Sequence, residues 1–344
     1  MSERTAAIGG FLAAAGWPSA EVTALAADAS FRRYLRVRRN GTTAVLMDAP
    51  PQHEDVRPFL RIARHLCGLG LSAPAILAAD AAAGLLLLED LGDDTFTRLL
   101  AAGADEPELY RLAVDVLIHL HRLPAATAAP AGLPAYDRGR LLDEALLLVD
   151  WFLPAVAGRP VAAGIRDDYI AAWEAVLAEP LAQPPTLVLR DFHVDNLMRI
   201  TGRSGIAACG LLDFQDAVAG PAAYDLMSLL EDARRNVPAP LREAMLARYL
   251  AGVAPADPAA FARSFAILAA QRHAKVIGIF TRLDRRDGKP GYLGHIPRVW
   301  RLLAAAAQDP ALAAVRGWLD RHIPPPLRCA PQPAPRPPVT AGGR

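Results

Sequence analysis

The sequence predicts an α+β protein in which a small, mostly β-stranded N-terminal lobe precedes a larger helical lobe. Two stretches of alternating residues, Phe31–Arg38 and Thr42–Met47, predict neighbouring strands. Asn40-Gly41 between them is a strong indication of a two-residue hairpin. Most of the remaining chain has helical periodicity instead. We therefore place the first lobe in residues 1–90 and the second in residues 91–323.

The other elements predicted for the first lobe are a helix, a short buried strand and an opening helix. Asp55–Leu69 has helical periodicity, and the apolar run Leu85–Leu88 predicts the strand. Thr5–Gly16 is weakly apolar and fits either a secretory signal or a helix packed on the first lobe. A signal peptide would need a net positive start, but Glu3 cancels Arg4, so we expect the helix.

The helical lobe is expected to begin with a capped amphipathic helix. Asp105 is a suitable N-cap, Pro107 lies in the first turn, and an apolar stripe follows. The stripe consists of Leu109, Leu112, Ala113, Val116, Leu117 and Leu120. Further helices are predicted near Leu141–Phe152 and Asp167–Leu177.

A strand–loop–strand segment interrupts this helical pattern. The strands are predicted at Leu187–Leu189 and Gly210–Leu212, with a polar loop between them. Helices resume from Tyr224 to about Ile323. The tail, residues 324–344, is rich in proline, and we expect it to be disordered.

Composition excludes several classes of protein. The formal net charge of +1 gives no overall field that would attract nucleic acid or an acidic membrane. Cys67, Cys209 and Cys329 are scattered and odd in number, so they predict neither a disulfide framework nor a metal-binding pair. This cysteine usage favours a reducing, cytoplasmic location. No apolar run approaches the roughly 18 residues of a membrane span, and no feature indicates an obligate protein partner.

The most informative segment is the loop Arg190–Asn196 with the run Leu211–Asp216 that follows it. Phosphoryl transfer needs a carboxylate near the attacking hydroxyl, and oxygen ligands that hold Mg²⁺ against the phosphates. Asp191 and Asn196 are five residues apart in one loop, and Asp213 follows two apolar residues of a predicted strand. Each piece alone is common turn chemistry. The order D-x-x-x-x-N…D-F, with a β-like run before each part, predicts a kinase site.

These segments resemble the aminoglycoside phosphotransferase superfamily and, within it, the bacterial anomeric kinases for N-acetylmuramate and N-acetylglucosamine. The resemblance is carried by Asp28–Tyr34, Leu46–Pro51, Leu87–Asp93, Leu211–Ala217, Gly220–Leu226 and Gln271–Phe280, and it extends to about Arg298. It implies a two-lobed protein-kinase-like fold, ATP and Mg²⁺ as cofactors, and a small amino sugar as the substrate. It also implies cell-wall sugar salvage toward UDP-sugars, that is, peptidoglycan recycling.

The resemblance assigns roles to residues of the two informative segments. Asp191 resembles the catalytic carboxylate that orients and deprotonates the sugar hydroxyl, and Asn196 and Asp213 match the Mg²⁺ ligands. Asp225 matches a residue that supports the catalytic loop. Weaker candidates for contact with the substrate are His193, Gln215, Asp216 and Arg272.

The nucleotide contacts implied by the resemblance lie in a phosphate-covering hairpin and at a hinge that faces adenine. They are Ser30, Phe31, Arg32 and Arg33 in the hairpin, and Glu89 and Leu91 at the hinge. Protein kinases hold the phosphates with a strand lysine, but this sequence has no lysine before Lys275, and Met47-Asp48 stands in the expected place. Arginine forks suit phosphate oxygens, so we expect Arg32 or Arg33 to replace the lysine. The sequence does not choose between them.

The identity of the sugar is less constrained by the residues. Residues 271–322 contain ten Lys and Arg side chains against four acidic ones, and Arg272 and Lys275 share one helical face. This patch could receive the lactyl carboxylate of N-acetylmuramate, or it could be a solvated helix face. Residues 130–270 carry seventeen acidic residues against twelve arginines, so charge alone does not exclude a polycationic aminoglycoside.

Three functions are therefore compatible with the sequence. The leading hypothesis is ATP-dependent phosphorylation of the anomeric hydroxyl of N-acetylmuramate and N-acetylglucosamine. A second is a kinase for an aminoglycoside or another small alcohol. A third is a nucleotide-sensing pseudokinase, favoured by the missing strand lysine and opposed by the intact Asp191, Asn196 and Asp213.

Overall fold

The computed structural model describes residues 3–25 and 31–335 of the chain. The helices are α1 Glu3–Ala14, α2 Arg57–Gly68, α3 Phe96–Ala101, α4 Glu106–Arg122, α5 Ala125–Ala128, α6 Arg138–Leu147, α7 Leu153–Ala157, α8 Ala163–Leu181, α9 Ala223–Leu230, α10 Ala239–Val253, α11 Pro258–Asp287, α12 Ile296–Ala306 and α13 Ala313–His322. The strands are β1 Glu21–Ala24, β2 Arg33–Arg39, β3 Thr42–Asp48, β4 Ile76–Asp80, β5 Leu85–Glu89, β6 Pro185–Val188, β7 Leu197–Arg199, β8 Cys209–Leu211 and β9 Val218–Pro221.

The chain divides into two compact units. One unit comprises Met1–Leu133 together with Leu189–Ala217, and the other comprises Pro134–Val188 together with Val218–Arg344. This division differs from the boundary predicted after residue 90, because hydrogen bonds tie the loop segment to the first unit. The amide of Leu211 donates to the carbonyl of Ser72 at 2.8 Å, and that of Arg199 donates to the carbonyl of Asp94 at 2.8 Å.

The first unit is built on an antiparallel sheet with the strand order β1-β2-β3-β5-β4. The predicted hairpin is confirmed: Asn40 and Gly41 have φ of 49° and 75°, as a tight two-residue turn with left-handed central residues requires. Helix α1 packs on the sheet as predicted, since Leu12 lies in the same core cluster as Val37, Ala44, Leu46, Leu85 and Leu87. Strands β1 and β4 were not predicted, because neither has a strong apolar alternation.

Helix α4 begins where the sequence predicts. Asp105 is its N-cap, and the side chain accepts a hydrogen bond from the amide of Glu108 at 2.9 Å. Five of the six predicted stripe residues are buried, and Leu112 is half-buried. The two strands predicted around the polar loop exist, but they do not pair with each other. Strand β6 pairs with β9, and β8 pairs with β7, which lies inside the loop.

The second unit is organised around α11, a 30-residue helix that contacts α6, α8, α9 and α12. Its packing on α6 is close, because a Cβ added at Gly278 would lie 2.4 Å from the carbonyl oxygen of Leu147. The first part of the proline-rich tail is held against this unit: Arg285 donates to the carbonyl of Gln332 at 2.8 Å, and the Ala334 amide donates to Asp284 at 3.0 Å. Residues 324–335 therefore do not meet the expectation of a disordered tail, because α11 supplies partners for their backbone.

None of the helices in the described ranges is both long enough and apolar enough to cross a membrane.

Candidate active site

The first unit brings Asn196 and Asp213 together through one short antiparallel pair of strands. Asn196 immediately precedes β7 and Asp213 follows β8 by two residues, and Leu197 pairs with Leu211. The amide of Leu212 donates to the carbonyl of Asn196 at 3.0 Å, which continues the ladder to the strand ends. The register of β7 against β8 therefore places Asn196 and Asp213 at the same end of this strand pair.

Asp191 is linked to the same place by the side chain of Asn196. The Nδ2 of Asn196 donates to the main-chain carbonyl of Asp191 at 2.9 Å, and the Asn196 amide donates to the carbonyl of His193 at 2.9 Å. Because Nδ2 of Asn196 donates to the Asp191 carbonyl, Oδ1 of the same side-chain amide points away from that carbonyl. Asp191 itself is half-buried.

Two residues of this arrangement have left-handed backbone conformations that are rare for non-glycine residues. Arg190 has φ of 70° and Asp213 has φ of 56°. Conformations of this kind cost of order 1–3 kcal/mol and persist where the surrounding structure imposes them, often at functional sites. One of them directly precedes the candidate base and the other is a candidate metal ligand.

The oxygens near Asp213 suit a hard cation. Gln215 Nε2 donates to Asp213 Oδ1 at 2.8 Å, and Gln215 Oε1 is a buried oxygen without a hydrogen-bond partner among the described residues. In residues 3–25 and 31–335, no three His, Cys, Asp or Glu side chains form a metal-sized cluster. A divalent cation here would therefore take some of its ligands from the substrate and from water, as Mg²⁺ does at nucleotide sites.

The weaker candidates of the loop have different surroundings. His193 is buried, with Nε2 3.5 Å from the Nδ2 of Asn196 and Nδ1 3.9 Å from the carboxylate of Asp195. Asp216 is exposed, and its main-chain carbonyl accepts a long hydrogen bond of 3.5 Å from Arg190. Contact of either side chain with the substrate remains a prediction.

Tyr34 and Arg36 lie on one face of β2, and Arg32, which immediately precedes the strand, continues this row toward the acidic end of the site. The side chain of Arg32 is 13% exposed and lies 3.6 Å from a carboxylate oxygen of Glu54. Burial alone would lower the pKa of Arg32, but Tyr34, Glu54, Asp213 and Asp216 together raise it above its ordinary value. The guanidinium therefore stays protonated in the field of Asp213.

Arg33 points to the other face of the strand. Its Nε donates to Asp48 Oδ2 at 3.0 Å, and Arg4 of α1 donates to Oδ1 of the same carboxylate at 2.8 Å. Asp48 is completely buried, so two arginines from different elements balance its charge. The structure thus separates the two arginines that the sequence left equivalent: Arg33 is engaged by Asp48, and Arg32 lies near Asp213.

A cavity of about 360 Å³ lies in the first unit next to these groups. Its apolar walls are Val45, Leu88, Met198 and Leu212, and its other lining residues include Tyr34, Arg36, Glu89, Leu91, Asn196 and Asp213. An apolar slot with a few polar groups at one end is the usual form of a small-ligand site. The predicted hinge residues Glu89 and Leu91 thus line the same cavity as the two candidate metal ligands.

Ion pairs hold the residues of the predicted hinge, and the carboxylate of Glu89 is occupied by partners within the protein. Glu89 pairs with Arg203 and accepts from the amide of Ala75 at 3.2 Å. Arg36 pairs with Asp90 at 2.7 Å and with Asp93 at 3.0 Å. Any contact of Glu89 with adenine would therefore be made by its backbone.

The predicted phosphate-covering hairpin is described in part. Phe31 is 66% exposed and stacks on His53 with ring centroids 4.7 Å apart. Ser30 lies outside the described residues.

Arg272 and Lys275 belong to the second unit and are buried there, each 7% exposed. Arg272 donates to the hydroxyl of Tyr224 at 3.2 Å with its guanidinium over the ring, and Lys275 pairs with Glu144 at 2.9 Å. Glu144 also accepts from the hydroxyl of Tyr136. The alternative of a solvated helix face is therefore wrong, because these cations are held by buried partners. A substrate contact of Arg272 remains a prediction.

Several site residues were missed by the sequence reasoning. Tyr34 and Arg36 could have been found, since they continue the two-residue period that starts at Arg32. Glu54 lies in an irregular loop, and Met198 lies in a strand of three residues, so no pattern marks them.

Comparison with known proteins agrees with this geometry. A model of the phosphotransferase enzyme family matches residues 21–263, which include β2, the hinge and the whole segment from Arg190 to Asp216. This chain belongs to that family. The resemblance inferred from the sequence is thereby confirmed, and the protein is a phosphotransferase with a hydroxyl group as acceptor.

The phosphotransferase has relatives of known name over nearly its full length. It is 38% identical to the N-acetylmuramate/N-acetylglucosamine kinase of Caulobacter vibrioides, over 94% of this chain and 98% of that protein. It is 40% identical to the protein of the same name from Pseudomonas aeruginosa, over 87% of this chain and 89% of that protein.

Solved structures agree with the fold of the phosphotransferase. A choline/ethanolamine kinase family protein from Mesorhizobium loti is similar with a TM-score of 0.61 at 18% identity, covering 91% of this chain and 99% of that one. The GDP complex of aminoglycoside 2'-phosphotransferase-IIIa has a TM-score of 0.62 at 16% identity, covering 88% and 99%. The predicted fold, with a small antiparallel β lobe and a larger helical lobe, is confirmed.

Proposed function

We propose that this phosphotransferase transfers the γ-phosphoryl group of ATP to the anomeric hydroxyl of N-acetylmuramate and of N-acetylglucosamine, giving sugar 1-phosphates. The observation that supports the reaction is that Asn196 and Asp213 line one cavity of about 360 Å³, while the side chain of Asn196 also holds the main-chain carbonyl of Asp191. The choice of sugar is supported by the shared name of relatives at 38% and 40% identity.

In this proposal Asp191 is the general base. Its carboxylate accepts the proton of the anomeric hydroxyl as the oxygen forms its bond to the γ-phosphorus. The bond from that phosphorus to the bridging oxygen breaks, and ADP leaves with the electron pair. The anomeric hydroxyl is more acidic than an ordinary alcohol, so a carboxylate is an adequate base. The hydrogen bond from Asn196 Nδ2 to the main-chain carbonyl of Asp191 keeps this base oriented.

Asn196 and Asp213 are proposed as the protein ligands of Mg²⁺, through Asn196 Oδ1 and the Asp213 carboxylate. Oxygen ligands of this type suit Mg²⁺. When bound, the ion offsets negative charge on the phosphate oxygens. Gln215 positions the Asp213 carboxylate by its hydrogen bond of 2.8 Å.

Arg32 is proposed as the phosphate-binding cation that replaces the strand lysine. Protein kinases hold that lysine in an ion pair with a helix glutamate. Arg32 and Glu54 form a comparable cation–carboxylate pair, 3.6 Å apart, near Asp213. A phosphate-binding Arg32 would supply the positive charge whose absence was the main argument for a pseudokinase.

The substrate hypothesis is tested by ADP release from ATP·Mg²⁺ with N-acetylmuramate, N-acetylglucosamine and kanamycin. We expect turnover with both N-acetyl sugars, none with their methyl glycosides, and loss of activity when EDTA removes the metal. The methyl glycosides are the matched control, since they differ from the substrates only at the anomeric oxygen. Turnover of kanamycin alone would instead favour the aminoglycoside alternative. No release of ADP with any of the three compounds would favour the pseudokinase.

The proposal also gives the protein a place in metabolism. Sugar 1-phosphates of this type are precursors of UDP-sugars, so the enzyme would act in peptidoglycan recycling in the cytoplasm.

A further inference from the structure

The proposed function places an anionic nucleotide beside three carboxylates of the hinge. Glu89, Asp90 and Asp93 line the cavity of about 360 Å³ in the first unit, together with the candidate metal ligands. ATP·Mg²⁺ carries a net negative charge, and like charges in a partly desolvated cavity repel each other. Binding of the nucleotide therefore depends on how these three carboxylates are balanced.

Arg36 of β2 balances two of the three carboxylates. It pairs with Asp90 at 2.7 Å and with Asp93 at 3.0 Å, and it donates to the carbonyl of Gly92 at 3.1 Å. Asp93 has a second cation, Arg98, at 3.8 Å. Both aspartates thus have cationic partners within the first unit.

Glu89 is balanced from a different element, the turn between β7 and β8. Nη2 of Arg203 donates to Oε1 of Glu89, and Nη1 of the same guanidinium donates to the hydroxyl of Ser72 at 2.9 Å. Ser72 is buried, and its hydroxyl donates in turn to the carbonyl of Ala207 at 2.6 Å. Two partners therefore fix the orientation of the Arg203 guanidinium, and one of them is the hinge carboxylate.

The carboxylate of Glu89 depends on Arg203 for its charge balance. Its other oxygen, Oε2, accepts from the amide of Ala75 at 3.2 Å, which is a neutral donor. Among the described residues, Arg203 is the only cation within ion-pair distance of Glu89. The side chain of Glu89 is 28% exposed, so water screens its charge only in part. Removal of Arg203 would therefore leave an unbalanced carboxylate beside the cavity.

We propose that Arg203 is a positioning residue for nucleotide binding, which neutralises the carboxylate of Glu89 and holds it away from the nucleotide. This inference rests on the proposed function and adds a residue that, in the described part of the chain, lies outside the lining of the cavity. Because Arg203 acts through Glu89, its effect depends on the charge of residue 89 and on the charge of the ligand.

The test is a direct titration of ATP·Mg²⁺ and of adenosine into the wild-type protein and into Arg203→Gln. We expect Kd for ATP·Mg²⁺ to rise about three- to tenfold, because an unbalanced carboxylate then acts on the phosphate charge. Kd for adenosine, which is neutral, should stay within about twofold. Arg203→Lys keeps the positive charge and should bind ATP·Mg²⁺ within about twofold of the wild type.

A second substitution at Glu89 separates this role from a structural one. In a Glu89→Gln background, Arg203→Gln should change Kd for ATP·Mg²⁺ by less than about twofold, since the carboxylate that it balances is gone. Arg199→Gln is the matched control, because Arg199 lies in β7 of the same hairpin and pairs with Glu108 at 3.9 Å instead. It should leave both Kd values within about twofold.

Three results would overturn the role given to Arg203. They are an unchanged Kd for ATP·Mg²⁺ in Arg203→Gln, an equal loss of affinity for ATP·Mg²⁺ and adenosine, and an effect of Arg203→Gln that persists in the Glu89→Gln background. Retained binding of adenosine reports that each variant is folded. A wild-type protein that does not bind ATP·Mg²⁺ would overturn the proposed function itself, which is a distinguishable result.

Discussion

Asp191→Asn is expected to lower kcat with N-acetyl sugars by about 10²- to 10⁴-fold, the usual contribution of a positioned general base. This corresponds to about 3–5 kcal/mol of lost transition-state stabilisation. Asparagine keeps the size and the main-chain carbonyl that holds Asn196, but it cannot accept the proton of the hydroxyl. ATP·Mg²⁺ affinity should change by less than about threefold, since the proposed metal ligands are untouched.

The measurement is a steady-state turnover assay together with a direct titration of ATP·Mg²⁺. Asp195→Asn is the matched control, because Asp195 lies in the same loop and its carboxylate accepts a hydrogen bond from Thr97. It should retain turnover within about fivefold. Near-normal turnover in Asp191→Asn, or an equal loss in both variants, would contradict the role given to Asp191.

Arg32→Ala is expected to raise KM for ATP by about ten- to a hundredfold and to lower kcat as well. A hydrogen bond to a charged group contributes about 1.5–3 kcal/mol. In the loose transition state of phosphoryl transfer, negative charge builds up on the leaving phosphate oxygen of ADP, which a cation beside the phosphates stabilises. Removal of Arg32 also leaves Glu54, its partner at 3.6 Å, facing the phosphates. Binding of the sugar should be unaffected.

Arg33→Ala is the matched control for this prediction, since it also removes an arginine side chain, from the neighbouring position. Arg33 binds Asp48 on the opposite face of the strand, so we expect KM for ATP to stay within about twofold. Its loss should instead lower the melting temperature, because Asp48 is completely buried and, within the described part of the chain, would keep only Arg4 as a cationic partner. A larger effect of Arg33→Ala than of Arg32→Ala on KM for ATP would reverse the assignment.

The sequence was sufficient for features that depend on local chemistry or on short-range order. The Asn40-Gly41 turn follows from backbone preference, and the capped start of α4 follows from Asp105. The sequence also predicted one site for Asn196 and Asp213, and both line the same cavity. The pairing of β7 with β8 that joins them was not predicted.

Other features depend on tertiary packing, which the sequence alone does not show. Alternation along β2 shows that Arg32 and Arg33 face opposite sides, but only the position of Asp48 and Asp213 shows which side is the site. Asp232 lies in the turn after α9 and Arg298 lies in α12, so no sequence pattern predicts that both line one cavity. The prolines of the tail led us to expect disorder. Residues 324–335 instead find partners that the sequence does not reveal: Arg285 of α11, Asp320 of α13 and the carbonyl of Ile323 just after α13.

The position of the new phosphate ester distinguishes transfer to the anomeric hydroxyl from transfer to any other hydroxyl of the sugar. The product formed from N-acetylmuramate and ATP can be examined by ³¹P NMR with coupling to the sugar protons. We expect a phosphorus coupled to the anomeric proton, and a product that loses phosphate in mild acid as glycosyl phosphates do. A phosphorus coupled to the protons at carbon 6, or an acid-stable ester, would contradict anomeric phosphotransfer.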